Sequence, residues 1–252
     1  MRRTGEFVTL SVFVEHLGVL SPLEEHDREG ILSLPVSEKR IPAGGYIARE
    51  GTASSTFSVL IDGLAYCQKL ACFNARQIVS LAIPGDALDL PNLFLAAADH
   101  DIRALTDCET AVVHSELLRE LAQRRPAVAR AFMVKALVES SVSREWSLNI
   151  GRRDARTRIA HLLCEHMVRT RARGLTTGDI MYFPLTQEQL GDATGLTAVH
   201  VNRMLRSLEA DNLIEKRKGS QIRIPCVDTL RMAGDFSARY LHLRASTEAQ
   251  NQ

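Results

Sequence analysis

Between about residues 40 and 115 the apolar positions come in short runs, each closed by a turn signal: Pro42-Ala-Gly-Gly45, Glu50-Gly51, Asp62-Gly63 and Pro84-Gly85-Asp86. Phe57, Val59 and Ile61 alternate ahead of Asp62-Gly63, and Ile78, Ser80 and Ala82 alternate ahead of Pro84. Period two between turns predicts antiparallel strands with one buried face, and hence a β-roll or barrel. After Glu116 the period changes. From Pro126 onward about 25 residues pass without Gly or Pro, and Val134, Val138, Val142, Trp146 and Ile150 recur at every fourth position. This predicts one long helix, opened by Pro126 in its first turn and closed at Gly151. A helix of that length between two domains pairs with its own copy in a homodimer or packs onto its own sensor domain. Residues 153–173 predict a second amphipathic helix, with Ile159, Leu162, Leu163 and Met167 on one side and Gly174 and Gly178 after it. The tail Ala245–Gln252 reads as frayed.

The sharpest pattern lies between Thr186 and Leu208. Thr186 is placed to cap a helix whose third residue, Gln189, completes a capping box. Leu190 and Ala193 face inward, Gly195 takes a left-handed turn, and Thr197 caps a second helix. That helix buries Val201, Met204, Leu205 and Leu208 and begins its exposed side with Ala198, Val199, Asn202 and Arg203. Small residues that approach base edges, ending in a guanidinium fork suited to guanine O6 and N7, have the chemistry of a DNA recognition helix. Leu213 to Ile224 then reads as a hairpin with Lys216, Arg217 and Lys218 at its tip, a wing that meets phosphate.

The composition agrees with this organisation. The chain has 252 residues, 45% hydrophobic and 24% charged, enough for one or two ordinary globular domains. Its net charge of +1 conceals an asymmetry. Residues 1–143 carry 14 Lys/Arg against 18 Asp/Glu, whereas residues 144–252 carry 17 against 12, as suits a phosphate-touching module attached to one that does not touch phosphate. Charged and polar residues interrupt MRRTGEFVTLSVFVEHLGVL where a signal peptide needs a continuous apolar stretch, and no window reaches about 18 uninterrupted apolar residues. A cytoplasmic protein without membrane partners is expected.

Catalytic and metal chemistry find little support. The five cysteines (Cys67, Cys72, Cys108, Cys164, Cys226) show neither zinc-ribbon spacing nor C-x-x-C, and read as buried free thiols. His161, Cys164 and Glu165 share a helical face with His166 beside them, but Cys164 lies among Leu162, Leu163 and Met167 and reads as a core thiol. A cupin-like enzyme needs clustered histidines, and His100 and His114 are the only ones between residues 27 and 160. No enzyme activity is expected.

PAGGYIAREG, FSVLIDGLAYC and PGD followed by Leu93-Phe94 resemble the cyclic-nucleotide-binding-type β-roll of the Crp/Fnr superfamily of transcription regulators. RIAHLL followed by LTQEQLGDATGLTAVHVNRMLRSLEADNLI resembles that family's winged helix-turn-helix. The resemblance implies an α+β protein: a β-roll sensor over residues 1–125, a dimerisation helix over 126–151 and a winged helix-turn-helix over 152–252. It also implies a homodimer on palindromic double-stranded DNA and RNA polymerase as a partner. DNA contacts are implied at Thr186, Gln187, Thr197, Ala198, Val199, His200, Asn202, Arg203 and Lys218. Relatives usually carry Glu where this chain has Val199.

In cyclic-nucleotide binders of this fold a Gly-Glu pair holds the ribose and an Arg-Ser pair some ten residues later holds the phosphate. Those positions fall here on Asp89-Leu90 and on Ala98-Asp-His-Asp101, which has no Arg. Two hydroxyl residues that meet the adenine fall on Ser143 and Arg144, so one hydroxyl is kept. The implied effector region is Asp89, Leu90, Asn92, His100, Arg103, Ser143 and Arg144, with Arg103 and Arg144 open as partners of another anion or as ordinary ion-pair residues. Cyclic AMP is not the expected effector. Family members with an iron-sulfur cluster use several N-terminal cysteines, and none precedes Cys67, so no cofactor is expected.

Overall fold

The computed structural model describes residues 10–72 and 75–243; the tail Ala245–Gln252 and the first nine residues lie outside them. Two helices, α1 (Ser11–Leu20) and α2 (Glu25–Leu32), come first. Seven strands follow: β1 (Ser37–Ile41), β2 (Tyr46–Ala48), β3 (Thr56–Asp62), β4 (Ala65–Leu70), β5 (Arg76–Ala82), β6 (Asp101–Ala104) and β7 (Cys108–His114). They form two antiparallel sheets in the orders β1-β7-β3 and β2-β6-β4-β5, the predicted roll. β3 departs from the expected single buried face: Phe57, Ser58, Val59, Leu60 and Ile61 are all buried. Phe57, Val59 and Ile61 join a core with Phe13 of α1, while Leu60 faces the apolar cluster of Ile41, Ala65, Ile102 and Ala104. Helices cover one side of this strand and the second sheet covers the other, so strict alternation is unnecessary. The rings of Phe13, Phe57 and Phe132 meet with centroids 5.5 to 6.4 Å apart.

After α3 (Ser115–Arg124), the long helix α4 runs from Pro126 to Arg152. Gly151 lies inside it, and the break comes where the Asp154 carboxylate caps α5 (Ala155–Ala172) by accepting from Arg156 and Thr157 N–H at 2.9 and 3.0 Å. The chain divides into two compact units, one holding Ser80–Glu139 and the chain up to Lys69, the other Leu70–Val79 and Ser140–Leu243. The division falls within α4 and not at its start. The first half of the helix buries Val128, Ala131 and Phe132 in the roll's core and, through the buried Lys135, reaches Asp86 at 3.3 Å and Glu139 at 3.0 Å.

The predicted fourfold seam does not stay on one face of α4. A helix turns about 100° per residue, so positions four apart drift by about 40° each and Val134 and Ile150 end roughly 160° apart. Trp146 is accordingly buried within its own chain, and Val134, Val138 and Val142 are half-buried. Among the exposed positions of α4, which also include Ala136, Ser143 and Leu148, one stripe follows a four-three spacing: Met133, Leu137, Ser140, Arg144, Ser147 and Gly151. Met133 is 59% and Leu137 62% exposed.

The second unit adds β8 (Ile180–Tyr182), α6 (Gln187–Thr194), α7 (Ala198–Ala210), β9 (Glu215–Arg217), β10 (Gln221–Arg223) and α8 (Val227–Ala233). The sheet order β8-β10-β9 completes a winged helix-turn-helix; β8 is a third strand that the sequence pattern did not signal. Leu70–Val79 belongs to this unit, with Arg76 2.6 Å from the Asp192 carboxylate of α6. Among the described residues no helix is long and apolar enough to cross a membrane.

Candidate nucleic-acid interface

The α6–α7 turn is built from local rules. Thr186 Oγ1 accepts from Gln189 N–H at 3.2 Å, and Gln189 Oε1 accepts from Thr186 N–H at 2.9 Å, the reciprocal box expected. Gly195 closes α6 at φ 67°, and Thr197 Oγ1 accepts from His200 N–H at 3.3 Å to open α7. Gly191 is equally constrained: a Cβ there would stand 2.4 Å from the Leu196 carbonyl oxygen, so only glycine lets the turn close against α6. Arg158 of α5 donates to the Thr194 and Arg153 carbonyls, tying the turn to the helix beneath it.

α7 buries Val201, Leu205 and Leu208, with Met204 only half-buried, and turns its other side outward. A shallow groove is lined by Gln187, Ala198, Val199, Asn202, Arg203 and Arg206. Val199 is 81% exposed, an isopropyl group held in water for which the monomer offers no packing. Thr186, Thr197 and His200 are exposed beside the groove at the two helix N-termini, where uncompensated backbone N–H groups attract phosphate. Arg206 was missed by sequence reasoning, although its spacing of three from Arg203 and seven from Val199 marks the same face. In the wing, Lys216 pairs with Glu209 at 3.3 Å and Arg217 with Glu215, while Lys218 stands exposed at the tip.

Beneath the reading head lies a buried polar network. Glu165 of α5 accepts from Trp146 Nε1 at 3.0 and 3.2 Å and from the Tyr240 hydroxyl at 2.8 Å, and Arg169 lies 3.5 Å away. His161 Nδ1 is 3.0 Å from the Gly234 carbonyl, and its Nε2 is 3.1 Å from the Tyr240 hydroxyl. Burial pushes His161 below the usual imidazole range and takes His166, bonded to the Tyr182 carbonyl at 2.9 Å, down to about 4. Cys164 is buried and its thiol pushed up to about 12 by burial, as befits a core thiol. Among the described residues no group of three His, Cys, Asp or Glu side chains is placed to hold a metal. The expectation of five buried thiols needs correction: Cys108 and Cys164 are buried, Cys67 is intermediate, and Cys72 and Cys226 are exposed because one follows β4 into the loop and the other precedes α8 at the surface.

Asp89, Leu90 and Asn92 are all buried, and Leu90 belongs to the apolar core of the roll. Arg103 sits on the opposite face of β6 from Ile102 and Ala104, over the Tyr46 ring, where it donates to the Gly44 carbonyl. Arg144 donates to Ser140 Oγ at 2.7 Å, and both it and Ser143 are exposed on the part of α4 assigned to the second unit. Asp101 is buried and occupied, accepting from Glu50 N–H and from Gln68 Nε2.

Asp89 makes a testable stability statement. Its Oδ1 accepts from Ser58 N–H at 2.8 Å, yet burial raises its carboxyl to about 6. The folded chain thus holds this proton more tightly than the unfolded one, and stability falls as pH rises from about 4 to about 6. Asp89→Asn keeps the acceptor and removes the buried charge, so it should gain up to about 3 kcal/mol above pH 6 and remove that part of the pH dependence. Urea melts at pH 4.5 and 7.5 read the difference; an equal effect at both pH values overturns it.

Comparison with known proteins adds an independent line. Residues 157–233 match the model of the Crp-like helix-turn-helix domain. The chain is 31% identical over 193 residues to a probable transcriptional activator of Rhizobium leguminosarum bv. viciae, covering 76% of this chain and 79% of that one. It is 30% identical over 175 residues to the transcriptional activator protein FnrL of Cereibacter sphaeroides, covering 68% and 70%. The solved structure of FixK2 from Bradyrhizobium japonicum superposes with a TM-score of 0.74 at 23% identity, covering 81% of this chain and 100% of that one, a likeness of fold.

Proposed function

The chain belongs to the Crp/Fnr family of transcription regulators, and from that we propose that it reads specific palindromic DNA as a homodimer and is not gated by cyclic AMP. The observation that carries the reading is the outward face of α7, where Val199, Asn202, Arg203 and Arg206 line one groove between capped helix ends. Half-sites should lie about one helical turn apart, centre to centre, as two recognition helices related by a dyad require. Selection from a random-sequence DNA pool tests it: recovery of an inverted repeat is expected, and an unstructured pool overturns it. RNA polymerase is the proposed protein partner, since relatives are named as transcriptional activators.

The dimer seam we assign is the exposed four-three stripe of α4, whose spacing keeps it facing a second copy of the same helix. Leu137→Glu should yield monomers by sedimentation and weaken operator binding, because two carboxylates would meet across the dyad. A variant that sediments with the wild-type mass counts against this seam.

Cyclic AMP gating is disfavoured by chemistry at the ribose position, where Leu90 is packed in the core and offers no acceptor to the sugar hydroxyls. Calorimetry with millimolar cyclic AMP should show no binding, and a micromolar isotherm reverses the conclusion. The packing of Leu90 also favours a second reading, an effector-independent regulator with a vestigial pocket.

A further inference from the structure

Two arginines of the roll share one tyrosine ring. Tyr46 of β2 stands directly opposite Arg103 of β6, on the side of the strand turned away from Ile102 and Ala104. The guanidinium carbon of Arg103 lies 4.7 Å from the centre of the Tyr46 ring, and that of Arg49, one residue past β2, lies 3.9 Å from it. The turn between β1 and β2 is stitched to β6: Gly44 N–H donates to the Ala104 carbonyl at 2.8 Å, and Ala104 N–H to the Gly45 carbonyl at 2.9 Å. Gly44 sits at φ 78°, and its own carbonyl accepts from Arg103 Nε and Nη2. Two cations on one ring repel each other, yet the carboxylates nearest in the chain do not neutralise them. Glu50, beside Arg49, is bonded to Lys69. Asp101 accepts from Glu50 N–H at 2.9 Å and from Gln68 Nε2 at 3.0 Å, and Asp107 accepts from Ala43 N–H at 2.9 Å. Among the described residues no carboxylate pairs with Arg49 or Arg103, and the Arg49 fork and Arg103 Nη1 have no acceptor. Arg40 on β1 shows the ordinary arrangement, paired with Glu38 at 2.6 Å.

We propose that Tyr46, Arg49 and Arg103 form a docking site for an acidic segment of a protein partner, in which two neighbouring Asp or Glu side chains meet the two guanidinium forks. A planar fork receives a carboxylate through two parallel hydrogen bonds, which an ammonium does not do. Stacking on Tyr46 already fixes both forks, so less side-chain freedom is lost when the carboxylates arrive. The openness of the site speaks for a macromolecule. Arg49 is exposed, and Tyr46 and Arg103 are half-buried at the edge of the sheet, whereas a small ligand takes a concave pocket that encloses most of its surface. Charge speaks against nucleic acid. Residues 1–143 carry 14 Lys/Arg against 18 Asp/Glu, a field that opposes a long polyanion while two local cations still match two carboxylates. The site gives the roll a protein contact separate from DNA reading, and it does not rest on α7 or the wing.

The test is fluorescence anisotropy of a fluorescein-labelled hexaglutamate peptide with the full chain at low ionic strength, where exposed ion pairs are least screened. The wild type should bind this peptide and not a hexaglutamine peptide. Arg49→Gln should weaken binding about fivefold, and Arg49→Glu should remove it. Arg103→Gln should weaken it at least as much; because Arg103 also ties the turn through Gly44, the exposed Arg49 carries the test should that variant misfold. Arg124→Gln, at a cation of α3 already paired with Glu120, should leave binding unchanged, as should Arg203→Ala and Lys218→Ala. Failure of the wild type to bind overturns the proposal, and so does a loss in Arg124→Gln or in the α7 and wing variants as large as that in Arg49→Gln. Displacement of the peptide by inorganic phosphate at matched charge also overturns it, since that result identifies a small-anion site. The assay contains no DNA, so failure of the DNA reading leaves its result standing.

Discussion

Arg203→Ala lowers affinity for the selected DNA site by about 1 to 3 kcal/mol, roughly five- to 150-fold, and affinity for random DNA far less. The reason is placement. Arg203 is exposed on the same outward face as Val199 and lines one groove with Asn202 and Arg206, so its fork is available to guanine O6 and N7 while Val201, Leu205 and Leu208 hold the helix from behind. The wing supplies the control. Lys218→Ala should weaken specific and random DNA alike and reduce the salt slope by about one, the signature of a lost phosphate contact. Val199 adds a directional expectation. An isopropyl group meets a thymine methyl favourably but cannot accept the cytosine N4 hydrogen bond that a glutamate takes, so the preferred half-site core should differ from that of glutamate-bearing relatives. Repeating the selection with the Arg203→Ala protein decides the matter: an unchanged motif shows that this arginine touches only the backbone.

Glu165→Ala should cost about 3 to 5 kcal/mol of stability, because it removes one partner of a buried, hydrogen-bonded charge cluster. The substitution takes away the acceptor shared by Trp146 Nε1–H and the Tyr240 hydroxyl and leaves Arg169 beside a cavity in place of a carboxylate. A buried donor without an acceptor carries its full desolvation cost of about 1 to 3 kcal/mol, so the two hydrogen bonds alone place the effect in this range. Glu165→Gln retains the volume and one good acceptor and should recover about half of the loss. Urea melts of the two variants measure this; a loss below about 1 kcal/mol for alanine would show that the cluster is relieved by water or rearrangement. Since α5 also carries Arg158, which holds the helix-turn-helix turn through the Thr194 carbonyl, the alanine variant should lose DNA binding as it unfolds and not before.

The DNA-reading element was legible in the sequence because everything that makes it is local. Thr186 with Gln189, Gly195 at positive φ, and Thr197 with His200 each settle their geometry within one helical turn, and the apolar spacing of α7 states which side is buried. Strand periodicity likewise marked the roll, and Pro126 marked the start of α4. What required the tertiary structure was whatever depends on a segment far along the chain. The same residues Phe57 to Ile61 are compatible with one covered face or two, and only α1 and the second sheet make it two. Trp146 lay on a plausible dimer seam until Glu165 of α5 captured its indole, and Arg103 alternated out of the roll while Cys67, noted only as a free thiol, alternated in. A pattern along the chain specifies periodicity and so the set of possible faces. Which face is buried, and which charge or thiol meets which partner, is decided by desolvation and hydrogen bonding against elements that the local pattern does not contain.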